Sequence, residues 1–493
     1  MSVRLSSNVS AQELSASIDP INVSFRDPAG SVVISNGRAF RVVNEHYKEE
    51  VLDILHGEPV PALIASGALV NTIAVDDVDL AAALRRISAV TDAAPLILEH
   101  EHIDFSTYPY EWPAEMLYAA AELTLDLMEQ LLPHGLGLKD ASPYNILFKH
   151  SRPILVDLLS LERRNPLDPT WLAYAQFVRT FIRPLLANKH FNLGLDQVFR
   201  VYRDGLQPEH VFHMCGWWRR LSFPFRTVVT VPTLLARMNP NRYQGIYNAR
   251  QSRSSEQAAF ILDRQLKGLR RKLRSAKPNP DRPSIWANYP GQDHQERNKQ
   301  TKEHFLKAAL ERQRPRRVLD VGCNVGDYSE IAARSGASVV AIDQDAVVVG
   351  RLWRRSFERN LKILPLVVDI ARPTAGLGWR NQECRPFLDR ATNVFDCVLL
   401  LAVMHHLLVT ERVPLGEILK LVYDLTTHTA IIEFVAPDDP MFRLLTRGNE
   451  RLYEHVSREH FESESSKFFV TERSERIGDT HRWLYWMRRV AVV

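Results

Sequence analysis

Toward its C-terminal end the chain alternates short continuous apolar runs with stretches of helical period. The run Val318-Leu319-Asp320-Val321 stops at a turn of small and polar residues, Gly322-Cys323-Asn324-Val325-Gly326-Asp327. Such a run fits a strand buried on both faces of a parallel sheet. Residues 328–335 then carry Ile331, Ala332 and Ala333 at helical spacing, and Gly336 ends them as a C′ glycine would. A second strand, 338–342, ends on Asp343. Apolar runs recur at 364–369, 395–407 and 429–435, and two β-rich runs, 467–471 and 482–487, are joined through Gly478-Asp479. A helix over 296–313 precedes the first of these strands.

The N-terminal pattern differs. Two β-like runs, 31–35 and 38–43, flank Asn36-Gly37, a strong hairpin signal. A helix is expected over 47–55, a strand over 96–100, and a long amphipathic helix over 113–132 bounded by Pro113 and Pro133. From 161 to 276 the pattern is mostly helical and aromatic-rich, and Trp171, Tyr174, Phe177, Phe181, Trp217 and Trp218 are expected in the core. The basic run 267–274 reads as a solvated helix face. Lys277-Pro278-Asn279-Pro280-Asp281-Arg282-Pro283 is stiff and carries no helix or strand signal. The expected organisation is therefore an α+β, helix-rich unit over 1–276, a linker over 277–283 and a second domain over 284–493, with 284–493 folding and binding its ligand alone.

Composition adds limits. With 493 residues, 45% apolar and 24% charged, the chain is ordinary globular material. A net charge of +4 makes no case for nucleic acid. The four cysteines form no C-x-x-C pair, so no metal site is expected. No apolar stretch is long enough to span a bilayer and no signal-peptide core follows Met1, so a cytoplasmic protein without membrane contact is expected.

The candidate chemistry lies in the first β-α-β unit. Gly322 and Gly326 suit close backbone approach to a ligand, and Asp343 at a strand tip suits ribose hydroxyls. Dinucleotide sites use G-x-G-x-x-G to seat a pyrophosphate. Here the pattern is Asp320-x-Gly322-x-x-x-Gly326 with Asp327 opening the helix. A carboxylate there repels a diphosphate and suits a cationic amino group, which favours S-adenosylmethionine over NAD.

These motifs resemble those of class I S-adenosylmethionine-dependent methyltransferases, and the resemblance runs through the C-terminal domain. It implies an α/β fold, a doubly wound Rossmann-like domain with a seven-stranded mixed sheet. It implies S-adenosyl-L-methionine contacts from Asp320, Gly322, Cys323, Asn324, Gly326, Asp343, Gln344, Asp369, Ile370 and Leu401, with Asp369 facing the adenine amino group. Asn324 stands where the family has a glycine, and an Asn tolerates such a turn. Tyr289 and Lys299 are candidate lid contacts. The acceptor side falls after the fourth strand, where His405 and His406 are candidate bases, with Glu433 at the end of the fifth. No Asn-Pro-Pro-Tyr motif follows the fourth strand, so a small-molecule acceptor is expected in preference to a nucleic-acid base. The overall look resembles uncharacterised bacterial methyltransferases that include nodulation-associated members.

A second stretch resembles the catalytic loop of protein-kinase-like folds: Asp140, Asn145 five residues on, a short hairpin, then Asp157. The resemblance implies that Asp140 positions an acceptor while Asn145 and Asp157 hold magnesium. Leu138 replaces the loop His, Leu158-Leu159 replace Phe-Gly, and 38–43 has no Lys. Two readings stand side by side: a degenerate, kinase-like remnant that serves the methyltransferase without phosphorylating, and a turn whose Asp and Asn side chains cap local backbone. Retained nucleotide binding in a bifunctional protein, or cofactor binding without catalysis, are the functional alternatives.

Overall fold

The computed structural model describes residues 21–24, 27–35, 37–76, 80–81, 84, 94–238, 251–284 and 294–491. The N-terminal sheet holds β1 (Ile21–Ser24), β2 (Gly30–Ser35), β3 (Arg38–Val43), β4 (Thr72–Val75) and β5 (Leu96–His100) in the order β1-β2-β3-β5-β4. Ser35 faces Arg38 across β2 and β3, and Gly37 takes the left-handed φ of +71° that a tight hairpin needs. Helices α1 (Lys48–His56) and α2 (Val60–Ala65) connect β3 to β4. The long helix α3 (Ala114–Leu131) buries Met116, Leu117, Ala120, Leu127 and Leu131, the stripe its period predicts. Two small ladders follow, β6 (Leu136–Leu138) with β9 (Leu161–Arg163) and β7 (Ile146–Lys149) with β8 (Arg152–Leu155).

The helical stretch that follows includes α4 (Pro208–Met214), α5 (Trp217–Leu221), α6 (Val231–Met238) and α7 (Ser255–Ser275). Trp171, Phe177 and Phe181 are buried as expected, but Trp217 and Trp218 are not: both stand in solvent. Their helix has five residues, too few for a period to show which face is inside. The basic run is also less solvated than expected. Helix α7 buries Leu262, Leu266, Leu269 and Leu273, and its Arg270 pairs with Asp126 and Glu129 of α3.

The C-terminal sheet is built from β10 (Arg317–Val321), β11 (Ser338–Asp343), β12 (Ile363–Val367), β13 (Phe395–Leu400), β14 (Thr426–Val435), β15 (Phe469–Arg476) and β16 (Arg482–Arg489). Its order is β12-β11-β10-β13-β14-β16-β15, parallel up to β14 and antiparallel for the last two pairings. The chain runs outward from β10 to β12, then returns to β13 on the other side of β10. That reversal leaves a crevice at the carboxyl ends of β10 and β13, where α/β sheets bind ligands. Helix α8 (His294–Gln313) precedes β10, α9 (Asp327–Arg334) follows it, and α10 (Ala346–Glu358) follows β11. Helices α11 (Met404–Val409) and α12 (Leu415–Leu425) lie between β13 and β14, and α13 (Pro440–Thr446) and α14 (Arg458–Ser465) between β14 and β15. Among the described residues no helix is long and apolar enough to cross a membrane.

One hydrophobic cluster runs from α3 through the N-terminal unit into the C-terminal sheet. Helix α10 lies on α3, with Gly350 so close to Glu115 that a Cβ would overlap its carboxylate. Trp353 Nε1 donates to the Ser151 carbonyl at 3.1 Å, and Arg152 lies 3.6 Å over the Phe357 ring. Glu111 and Arg390 form an ion pair that is almost wholly buried, and Thr374 Oγ1 donates to the same carboxylate at 2.6 Å. Removing one partner of such a pair costs about 3–5 kcal/mol, since the other charge is left buried.

Candidate active site

The glycine turn is held from behind. Gly322 and Gly326 take φ of +70° and +82°, and Asn324, at +50°, tolerates the same region. A Cβ on Gly322 would overlap the Val403 side chain, and one on Gly326 would overlap Leu352. The left-handed backbone therefore already favours glycine at both positions, before any ligand is considered. The amides of Gly322 and Cys323 both donate to the Ile342 carbonyl, at 2.8 and 3.0 Å, locking the turn to the tip of β11.

Asp343 sits at that tip, half-buried, with its two carboxylate oxygens accepting from the amides of Asn324 and Asp345, each at 2.9 Å. Burial keeps its carboxyl above the usual range, while the amides act the other way. Gln344 beside it is exposed. Asp320 is buried beneath the turn and accepts from Ser329 Oγ, and burial pushes its carboxyl up to about 6. Cys323 and Leu401 place their side chains in the apolar cluster on one face of the sheet, and burial pushes the Cys323 thiol well up. Asp369 stands two residues beyond the end of β12, its carboxylate accepting from the Ala371 amide at 3.0 Å and pairing with Arg372 at 3.2 Å; Ile370 is half-buried against the main core.

The carboxylate that opens α9 is not open to a cationic ligand group in the way its position suggests. Asp327 pairs with Lys299 of α8 at 2.7 Å and with Arg355 of α10 at 3.4 Å. Burial pushes its carboxyl up, but those two cations outweigh it and hold it below its ordinary value. Lys299 thus clamps the turn from the helix in front of it. Tyr289 lies outside the described residues.

On the acceptor side, α11 begins directly over the turn, since Val403 precedes it. His405 is buried and His406 half-buried, their ring centroids 4.3 Å apart. Burial, then the neighbouring His406, Arg482 and Lys302, drives the His405 imidazole down to about 2; burial and Arg482 lower His406. Both rings are neutral at pH 7. His405 Nδ1 makes no hydrogen bond among the described residues. Glu433 is fully buried and held between Lys302 at 2.6 Å and Arg482 at 3.3 Å, while Arg482 also grips Asp439 at 2.8 and 2.9 Å. The two cations fix the Glu433 carboxylate on this wall of the crevice. Lys302, Arg355, Asp439 and Arg482 escaped the sequence reading because their partners lie far away along the chain, and no local spacing marks them.

In the N-terminal unit, Asp140, Asn145 and Asp157 do come together. Asn145 Nδ2 donates to Asp140 at 3.4 Å and to Ser160 Oγ at 2.9 Å, and Ser160 donates to Asp157. The other oxygen of Asp157 pairs at 2.8 Å with Arg41 from β3, which also donates to His100 Nε2 at 3.3 Å. Since Arg only donates, Nε2 accepts and His100 is neutral with its proton on Nδ1, shared with Thr72 Oγ1 at 2.8 Å. Burial and Arg41 push that imidazole down to about 3. A guanidinium on Asp157 stands where a cation would, and the kinase-like reading gains no support. Among the described residues no cluster of three His, Cys, Asp or Glu is arranged to hold a metal ion.

Residues 293–474 match the family model of a methyltransferase domain, which spans the glycine turn, the strand tips and both histidines. The C-terminal half is therefore a methyltransferase domain, and its cofactor is S-adenosylmethionine. Over 469 residues, 94% of this chain and 95% of the relative, the protein is 27% identical to the nodulation protein NoeA of Rhizobium meliloti (strain 1021). Among solved structures it is similar to the N-methyltransferase NodS from Bradyrhizobium japonicum WM9 in complex with S-adenosyl-L-homocysteine, with 16% identity and a TM-score of 0.30 over 45% of this chain and 97% of that one. It is also similar to the PH0226 protein from Pyrococcus horikoshii OT3, at 18% identity and a TM-score of 0.29, over 42% of this chain and 95% of that one.

The residues present fit the cofactor. Asp343, an acceptor fixed in place by two amides, would hold the ribose hydroxyls, and Asp369 would face the amino group of the base. When bound, S-adenosylmethionine supplies an electrophilic methyl on a sulfonium.

Proposed function

We propose that the protein methylates a hydroxyl of a small-molecule acceptor, with His406 removing the proton and the N-terminal unit serving as a wall of the methyltransferase. The observation that carries this reading is the pair of neutral imidazoles at the start of α11, next to the glycine turn. A neutral imidazole can take a hydroxyl proton as the methyl arrives, and orientation supplies the rest of the acceleration. His406 suits this better than His405, whose ring is buried and far less basic. His405 instead offers its unpaired Nδ1 as a fixed polar contact for the acceptor. The unit 1–276, the linker 277–283 and the domain 284–493 are proposed to work as one body, because the buried Glu111–Arg390 pair joins them.

A screen of hydroxyl and amine acceptors with methyl-labelled S-adenosylmethionine tests this. A hydroxyl acceptor whose turnover falls by about two orders of magnitude in His406→Ala, with cofactor affinity unchanged, is expected. Because His406 is lowered, turnover should stay flat above the ordinary histidine range and decline only in more acidic buffer, and the decline should vanish from the residual activity of His406→Ala. An amine acceptor, or turnover indifferent to His406, would contradict the proposal.

A further inference from the structure

Helix α6 is inverted. Val231, Leu234, Leu235 and Met238 recur at the spacing that normally marks a buried face, yet all four are exposed, while the residue α6 buries is Thr233. Thr230 Oγ1 donates to the Arg220 carbonyl at 2.7 Å, tying the start of α6 to α5. On α5 the rings of Trp217 and Trp218 stack with centroids 3.5 Å apart and are 59% and 71% exposed. Leu221, at the end of α5, and Phe223, in the segment between the two helices, are exposed as well. Apolar side chains gathered on adjoining elements mark an interaction site, where single exposed ones do not.

The charge of the same elements says what covers them. No Asp or Glu occurs between Glu209 and Glu256. Arg219, Arg220, Arg226 and Arg237 lie among the apolar residues, Arg226 and Arg237 exposed. Arg220 lies 3.9 Å over the Phe212 ring and Arg219 5.3 Å over Phe191, contacts that leave their charge intact. A second copy would set arginines against arginines, which repel. Nucleic acid would meet the arginines but give the aliphatic stripe of α6 no counterpart. A bilayer with anionic headgroups matches both: aliphatic and Trp side chains enter the headgroup–acyl boundary while guanidinium groups reach phosphates.

We infer that the face formed by α5, α6 and Phe223 docks on an anionic lipid surface, lying on it without spanning it. The inference departs from the expectation of no membrane contact, which rests on the absence of a spanning apolar run and a signal-peptide core. The test is co-sedimentation of the full chain with vesicles of phosphatidylcholine plus phosphatidylglycerol and with phosphatidylcholine alone. The full chain should pellet with the first, weakly with the second, and less as salt rises. Trp217→Ala/Trp218→Ala and Leu234→Gln/Leu235→Gln should each reduce partitioning by about tenfold or more. Arg226→Glu/Arg237→Glu should remove the preference for anionic vesicles. S-adenosylmethionine affinity should be unchanged in all three, since none lies at the cofactor site. A full chain that stays in the supernatant, or variants that pellet as the unaltered protein does, overturns the inference. So does an unaltered protein that ignores vesicles but forms a dimer which the same apolar substitutions dissociate, which would make the face a contact between copies.

Discussion

Two turns in this molecule carry the same kinds of residue and hold their carboxylates in different ways. The turn after β10 and the loop from Asp140 to Asp157 each bring aspartates and an asparagine together at the end of a strand or hairpin. At the first, Asp343 is held by backbone amides alone, which fix a carboxylate without neutralising it. At the second, Asp157 is neutralised by Arg41, which arrives from another sheet. Amide partners orient a charge for use, whereas a buried counter-ion uses it up. The difference lies in the long-range partner and not in the local motif.

The comparison can be broken most forcefully at Arg41. Arg41→Ala leaves Asp157 without its counter-ion in the interior, at a cost of about 3 kcal/mol, so denaturant unfolding should show a large loss of stability while cofactor affinity is kept. Acid is a second route, because both regions bury a neutral histidine. His100 and His405 are lowered to about 3 and about 2 from a usual value near 6.5. The unfolded chain therefore binds protons in that window that the folded chain does not. The stability these groups contribute is complete above pH 6.5 and is lost as pH falls toward the folded values, by about 1.4 kcal/mol per pH unit for each histidine. His405→Asn should shallow the dependence of melting temperature on pH between 6 and 4, values set by that window; a dependence unaltered by it would mean the ring is protonated inside the fold. The smallest effect concerns nucleotide. Mg-ATP should leave the melting temperature where it is, and a rise abolished by Asp157→Asn would mean the N-terminal loop still binds metal.

Much of the C-terminal fold was legible because parallel strands buried on both faces announce themselves as continuous apolar runs. The glycine turn and Asp343 were legible for the same local reason, a strand tip followed by small residues. Strand ends were not: β12 stops at Val367, before Asp369, and β14 begins at Thr426, ahead of the apolar run. The reasons assigned to particular residues also shifted. Gly322 and Gly326 lie close against Val403 and Leu352, and Asp327 is held by Lys299 and Arg355, because packing and pairing partners are chosen in three dimensions. Trp217 and Trp218 misled for a plainer reason, since aromatic residues are more often inside, and a short helix gives no period to say otherwise.

Titrating S-adenosylmethionine into the full chain by calorimetry tests the central contrast most directly. The unaltered protein and Arg41→Ala should bind it alike, while Asp343→Ala should bind at least about tenfold more weakly, a loss of about 1.4 kcal/mol. Equal affinity in Asp343→Ala, or a loss in Arg41→Ala as large as that in Asp343→Ala, would contradict the assignment of one turn to the ligand and the other to the scaffold.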